Sequence, residues 1–68
     1  MNEIQKKRIK NGMSQEQLAE LLGIDRSTIA KWETGVSFPR GEKLPDLARI
    51  LNCSIDDLFN RENKERDR

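Results

Sequence analysis

Between residues 15 and 34 two runs of helical periodicity are separated by only three residues, Gly23–Ile24–Asp25. In the first run Leu18, Ala19 and Leu22 fall on one stripe. In the second, Ile29, Trp32 and Glu33 point one way, and Arg26, Ser27, Ala30, Lys31 and Thr34 the other. A link this short makes the second helix cross the first at a steep angle. Three demands follow. Ala19 faces the incoming helix, which a larger side chain would push away. Gly23 must turn the chain with positive φ, a conformation that is cheap for glycine alone. Ile29 and Trp32 must be apolar, because they clamp the second helix onto the core. None of these demands is specific by itself; met together in one window, they are.

The rest of the chain reads as helices around that pair, with no alternating run long enough for a strand. We expect an all-α, compact five-helix domain. Helix 1 covers about 2–11, with Ile4 and Arg8 on its inner face and Gly12 ending it. The second helix (15–22) starts with a capping box of Ser14 and Gln17, and Met13 staples onto Leu18. The third (26–34) has Asp25 as N-cap and an Ile24/Ile29 staple. Helix 4 covers about 42–51, because Pro45 is tolerated only in a first turn. Its inner stripe is Leu44, Leu47, Ala48 and Leu51. Helix 5 starts at Ser54, with a Cys53/Leu58 staple and Ile55, Leu58 and Phe59 inward. Phe38, beside Pro39, packs on its own loop or on a partner. The stretch 61–68 has seven charges in eight residues and reads as a frayed, solvated tail. Charged residues are 37% and aromatics 4%, which raises the question of disorder. Three consistent helix starts favour a defined fold.

A chain of 68 residues fits one domain. It has no His and one Cys, so an intrachain disulfide, a Cys/His zinc site and His-based or Cys–His catalysis are excluded. Neither a phosphate-cradling glycine loop nor convergent acids point to an enzyme, so no cofactor, no metal and no catalytic residue are expected. No apolar stretch exceeds two residues, so no membrane partner is expected. Cys53 reads as a small buried apolar residue, and a lone thiol without a secretory signal suggests the reducing cytoplasm. The net charge of +1 argues weakly against nucleic acid. Its distribution argues the other way: residues 1–40 carry +2 and residues 41–68 carry −1. The acids sit mainly at helix starts and in the tail.

The segment Met13–Ser14–Gln15–Glu16–Gln17–Leu18–Ala19, the run Thr28–Ile29–Ala30–Lys31–Trp32–Glu33–Thr34–Gly35, and Leu44–Pro45–Asp46–Leu47–Ala48 resemble the lambdoid phage repressor and Cro-type (XRE-type) helix-turn-helix family. The resemblance covers about residues 4–59, with the helix-turn-helix at 15–34 and a charged tail at 60–68. It implies that helix 2 lies across the sugar-phosphate backbone and helix 3 enters the major groove. Arg26, Ser27 and Lys31 then become the base-reading residues, Arg26 through the fit of its fork to guanine O6/N7. Gln15, Thr28, Arg40 and Lys43 become phosphate contacts; in the family the glutamine matching Gln15 touches phosphate. Each has a plainer reading. Arg26 on an exposed face is also an ordinary solvated arginine, Lys31 serves base or phosphate, and Ser27 and Thr28 also suit a cap. Lys6 and Lys7 read as a soluble face. The resemblance further implies a salt bridge between Arg8 and Glu33 that holds helix 1 against helix 3.

Two functions compete. One is a sequence-specific regulator, a repressor of bacterial or prophage type. It would bind a double-stranded DNA operator as a homodimer, formed in solution or only on DNA, with no small-molecule ligand. The other is a protein-interaction module such as the antitoxin-like half of a toxin–antitoxin pair. Salt dependence separates them, because neutralised phosphates make DNA binding fall steeply with salt.

Overall fold

The computed structural model describes residues 3–59. Four α-helices are formed: α1 (Glu3–Lys10), α2 (Gln15–Leu22), α3 (Arg26–Thr34) and α4 (Leu44–Ile50). A 3-10 turn, Gly41–Lys43, runs directly into α4, and a second, Asp56–Leu58, follows it. Asn2 and the tail at 60–68 lie outside the described residues.

Local chemistry explains where α2 begins and ends. The Ser14 hydroxyl accepts from the Gln17 N–H at 3.0 Å, and the Ser14 N–H donates to Gln17 Oε1 at 2.8 Å. Two otherwise unpaired donors of the first turn are thereby satisfied. Gly23 closes the helix in the left-handed region (φ 72°, ψ 33°), its N–H turned back to the carbonyls of Ala19 and Glu20. That conformation aims the chain into α3 after three residues. A Cβ on Gly23 would meet nothing within 4 Å. Gly23→Ala should therefore cost only the backbone strain, about 1–2 kcal/mol. A melting curve should show that loss with the helical content of the folded state unchanged; a larger loss would mean the turn is packed against something.

The core gathers Ile4 from α1, Leu18, Ala19 and Leu22 from α2, Ile29 and Trp32 from α3, and Leu47 and Ala48 from α4. Leu51 and Leu58 complete it. Ala19 is 3% exposed, and α2 and α3 pack closely on each other, as a small residue at the crossing allows.

The expected fifth helix is not formed among the described residues; its place holds the single turn Asp56–Leu58. Ser54 and Asp57 make a reciprocal cap, with the Ser54 N–H to Asp57 Oδ2 and the Asp57 N–H to Ser54 Oγ, both at 3.2 Å. Only Leu58 is buried there. Ile55 and Phe59 are exposed, not inward as expected. Phe59 turns to extended backbone (φ −87°, ψ 155°) and stacks on Phe38, with centroids 5.0 Å apart. Its extended backbone takes Phe59 off the helical path. Helix 4 also differs: its expected first turn is 3-10, and the α-helix proper starts at Leu44, one residue before Pro45. Leu44 is only half-buried. Asp25 occupies the N-cap position of α3 in extended backbone, but its carboxylate makes no capping hydrogen bond. Cys53 is half-buried against the core instead of fully buried, and desolvation raises its thiol pKa. Asn52 adopts φ 61°, the one positive-φ residue other than glycine among the described residues. Asparagine tolerates this conformation better than most residues, and it ends α4.

Candidate nucleic-acid interface

The first turn of α3 projects from the molecule, because Ile29, Trp32 and Glu33 anchor its opposite face in the interior. Arg26, Ser27 and Lys31 are exposed, and Thr28 and Ala30 are half-buried. Ser27 and Lys31, four residues apart, share one face of the helix. The exposed residues within α3 therefore include two cations and no acid.

Arg8 and Glu33 meet in the interior. Arg8 Nε donates to Glu33 Oε2 at 2.6 Å, and Arg8 Nη2 to Glu33 Oε1 at 3.1 Å. Arg8 Nη1 donates to the Met13 carbonyl at 2.7 Å, which ties the chain entering α2 to the same guanidinium. The two side chains are 11% and 2% exposed, so the fork is largely desolvated.

Gln15 is half-buried at the start of α2 and joins this pair to the exposed surface. Its Nε2 donates to Glu33 Oε1 at 3.0 Å, and its Oε1 accepts from Arg26 Nη1 at 3.1 Å. A continuous polar chain thus runs Arg8, Glu33, Gln15, Arg26. Reasoning from sequence missed the two links at Gln15, and no local motif signals them.

Thr28, Lys31, Arg40 and Lys43 come together differently. They line an open groove of about 630 Å³ between α3 and the loop that follows it, where Glu42 is the one acidic lining residue. Lys43 is half-buried, and its ammonium donates to the Leu22 carbonyl at the end of α2 (3.3 Å). A cation there complements the negative end of that helix, and two of its three donors are left over. Arg40 is exposed at the rim. Ser27 lines neither the groove nor the polar chain. Lys6 and Lys7 pair with Glu3 at 3.3 and 3.7 Å, as suits a solvated helix face. No helix among the described residues is long and apolar enough to cross a membrane.

The family model described as Helix-turn-helix matches residues 4–58. The chain is 37% identical over 59 residues to the HTH-type transcriptional activator BcrR of Enterococcus faecalis, covering 87% of this chain and 29% of BcrR. An uncharacterized HTH-type transcriptional regulator of Archaeoglobus fulgidus is 42% identical over 52 residues, 76% of this chain and 74% of that protein. The HTH-type transcriptional regulator AnsR of Bacillus subtilis is 38% identical over 58 residues, 85% of this chain and 50% of AnsR. The chain thus spans under a third of BcrR and half of AnsR.

Proposed function

The chain belongs to the XRE-type helix-turn-helix family of DNA-binding transcriptional regulators, and from that premise we propose that it recognises a specific double-stranded operator with α3 in the major groove. The observation that carries the reading is the outer face of α3, where Arg26, Ser27 and Lys31 stand exposed with no acid among them. Arg26, on the first turn, reads a guanine through O6 and N7. Ser27 and Lys31 reach the next bases. Arg40 and the spare donors of Lys43 take phosphates at the groove rim, with Thr28 beside them. Gln15, at the N-terminus of α2, lies where the backbone crosses. Residues 4–59 form the DNA-binding domain, and 15–34 its reading element.

Two copies bind half-sites about one helical turn apart. The exposed, stacked Phe38 and Phe59 supply an apolar face for such pairing. Repression is the sign we propose, because a bound domain at a promoter blocks polymerase without needing further contacts. BcrR is named an activator, so a reporter with the operator placed across or upstream of the promoter tests the sign. The near-neutral net charge, with Arg26, Lys31, Arg40 and Lys43 on the proposed reading side, implies weak background binding and strong reliance on base contacts.

Selection from a random duplex pool tests the whole reading. The expected result is one enriched motif of two related halves. On that motif, log affinity should fall against log salt with a slope of roughly −2 to −3 per copy, from two or three phosphates neutralised. No enrichment, with salt-insensitive capture of a protein instead, would favour an interaction module.

A further inference from the structure

We infer that Asn11–Gly12 is a deamidation site that the native fold holds shut. Modification then accrues while the turn between α1 and α2 is open, and weakens the tie that closed it. Neither residue belongs to the proposed DNA face, and the site does not depend on the operator reading. Three observations carry it. The first is the sequence itself, in which Asn11 is the one asparagine followed by glycine. Deamidation needs the next backbone nitrogen to reach the asparagine side chain, and glycine has no Cβ to crowd that approach. Both residues are exposed, so water reaches them.

Second, the fold engages the atoms the reaction needs. The leaving group is the Asn11 amide nitrogen. Nδ2 donates to the Lys7 carbonyl at 2.7 Å and to the Leu51 carbonyl at 2.9 Å, which uses both of its N–H groups. The nucleophile is the Gly12 nitrogen, whose N–H donates to the Ile9 carbonyl at 2.9 Å. The flank is held as well. The Met13 N–H donates to the Arg8 carbonyl at 3.1 Å, and the Met13 carbonyl accepts from Arg8 Nη1 at 2.7 Å. The Gly12 nitrogen cannot lose its proton and turn toward Asn11 Cγ until its own bond and the two of the amide are broken.

Third, the same amide ties distant parts of the chain. Leu51, 40 residues on, caps the end of α4, and Lys7 lies in the last turn of α1. A carboxylate at position 11 can only accept. It would face two carbonyl oxygens where the negative ends of two helices meet. Lys7 and Lys10 line the same cleft and offset part of that charge, but the bridge from one side chain to both carbonyls is gone.

The chemistry balances with water alone. The Gly12 nitrogen gives its proton to solvent and bonds to Asn11 Cγ. The Cγ–Nδ2 bond breaks and ammonia leaves. Water then opens the resulting succinimide at either carbonyl, giving aspartate or isoaspartate. The amide has become an acid, nothing is oxidised or reduced, and a negative charge is gained. The mark reinforces itself: a chain that opens is modified, and a modified chain opens more readily.

The experiment incubates the full chain in native buffer and in guanidinium chloride at one pH and temperature, and follows each asparagine by peptide mass spectrometry. In guanidinium chloride Asn11 should convert before Asn2, Asn52, Asn60 and Asn63. Gly12→Ala, compared in guanidinium chloride where folding plays no part, should slow that conversion several-fold. In native buffer Asn11 should convert about tenfold more slowly or less, since opening must break three hydrogen bonds. Asn11→Asp, which is the direct product, should lower the melting temperature by about 4–8 °C, the worth of one net hydrogen bond in a domain of this size. Equal rates in the two buffers would mean that the fold does not guard the site and would overturn the inference. So would an Asn11 no faster than the other asparagines in guanidinium chloride, or an Asn11→Asp chain that melts with the wild type.

Discussion

Glu33→Gln is expected to lower the melting temperature by at least about 12 °C, from a loss of about 3–5 kcal/mol at about 4–8 °C per kcal/mol. The reason is the state in which it leaves Arg8. In the native protein the guanidinium spends Nε and Nη2 on the carboxylate and Nη1 on the Met13 carbonyl, with its side chain 11% exposed. A glutamine of the same shape keeps one acceptor but turns an amide N–H₂ toward a group that can only donate. The positive charge stays buried without its counter-charge. A domain this small stands only about 3–5 kcal/mol above unfolding, so the substitution removes most of that margin. The same argument gives a second outcome. Replacing both partners, Arg8→Met with Glu33→Leu, removes the orphaned charge and should recover most of the lost stability. Thermal melts of the single and double variants check both. A Glu33→Gln melting temperature within a few degrees of wild type would mean that water already compensates the pair.

The parts of this fold that are legible in the sequence are those whose partners lie within about four residues. Ser14 and Gln17 close a box three residues apart, Gly23 turns the chain where it stands, and Pro45 restricts its own turn. For such features, spacing along the chain is already geometry. The fifth helix shows the limit. Its start chemistry is present, since Ser54 and Asp57 do cap each other. A cap does not say how far a helix propagates; beyond Phe59 the sequence holds no apolar residue to continue the stripe, and Phe59 itself is exposed and stacked on Phe38. Asp25 fails in the other direction: its backbone takes the N-cap conformation while its carboxylate bonds nothing there.

The candidate site divides along the same line. The exposed face of α3 follows from periodicity once Ile29 and Trp32 are placed inside. The links that organise that face span 18 residues from Gln15 to Glu33, 11 from Gln15 to Arg26, and 21 from Lys43 to Leu22. Each is set by how α2 crosses α3 or by how the following loop returns. The Arg8–Glu33 pair, 25 residues apart, was reachable only through resemblance to a family.

Arg26→Ala combined with Lys31→Ala should reduce operator affinity by about 100-fold or more, since a two-pronged guanine contact alone discriminates by about 1–3 kcal/mol. The fold should survive the change. Both side chains are exposed, among the described residues Arg26 donates only the surface hydrogen bond to Gln15, and alanine is the best helix former. Far-ultraviolet circular dichroism of the double variant should therefore match wild type while gel-shift titration shows the loss. The single variants divide the effect. Arg26→Ala should relax the preferred base at one position per half-site and leave the salt slope nearly intact. Lys31→Ala has two possible signatures, which assign its role. A second relaxed position marks base reading, whereas a uniform loss with a slope shallower by about 0.9 marks a phosphate contact. Undiminished binding by the double variant, or its unfolding, would remove α3 as the reading element. The exposed cations of α3 would then be an ordinary solvated helix face.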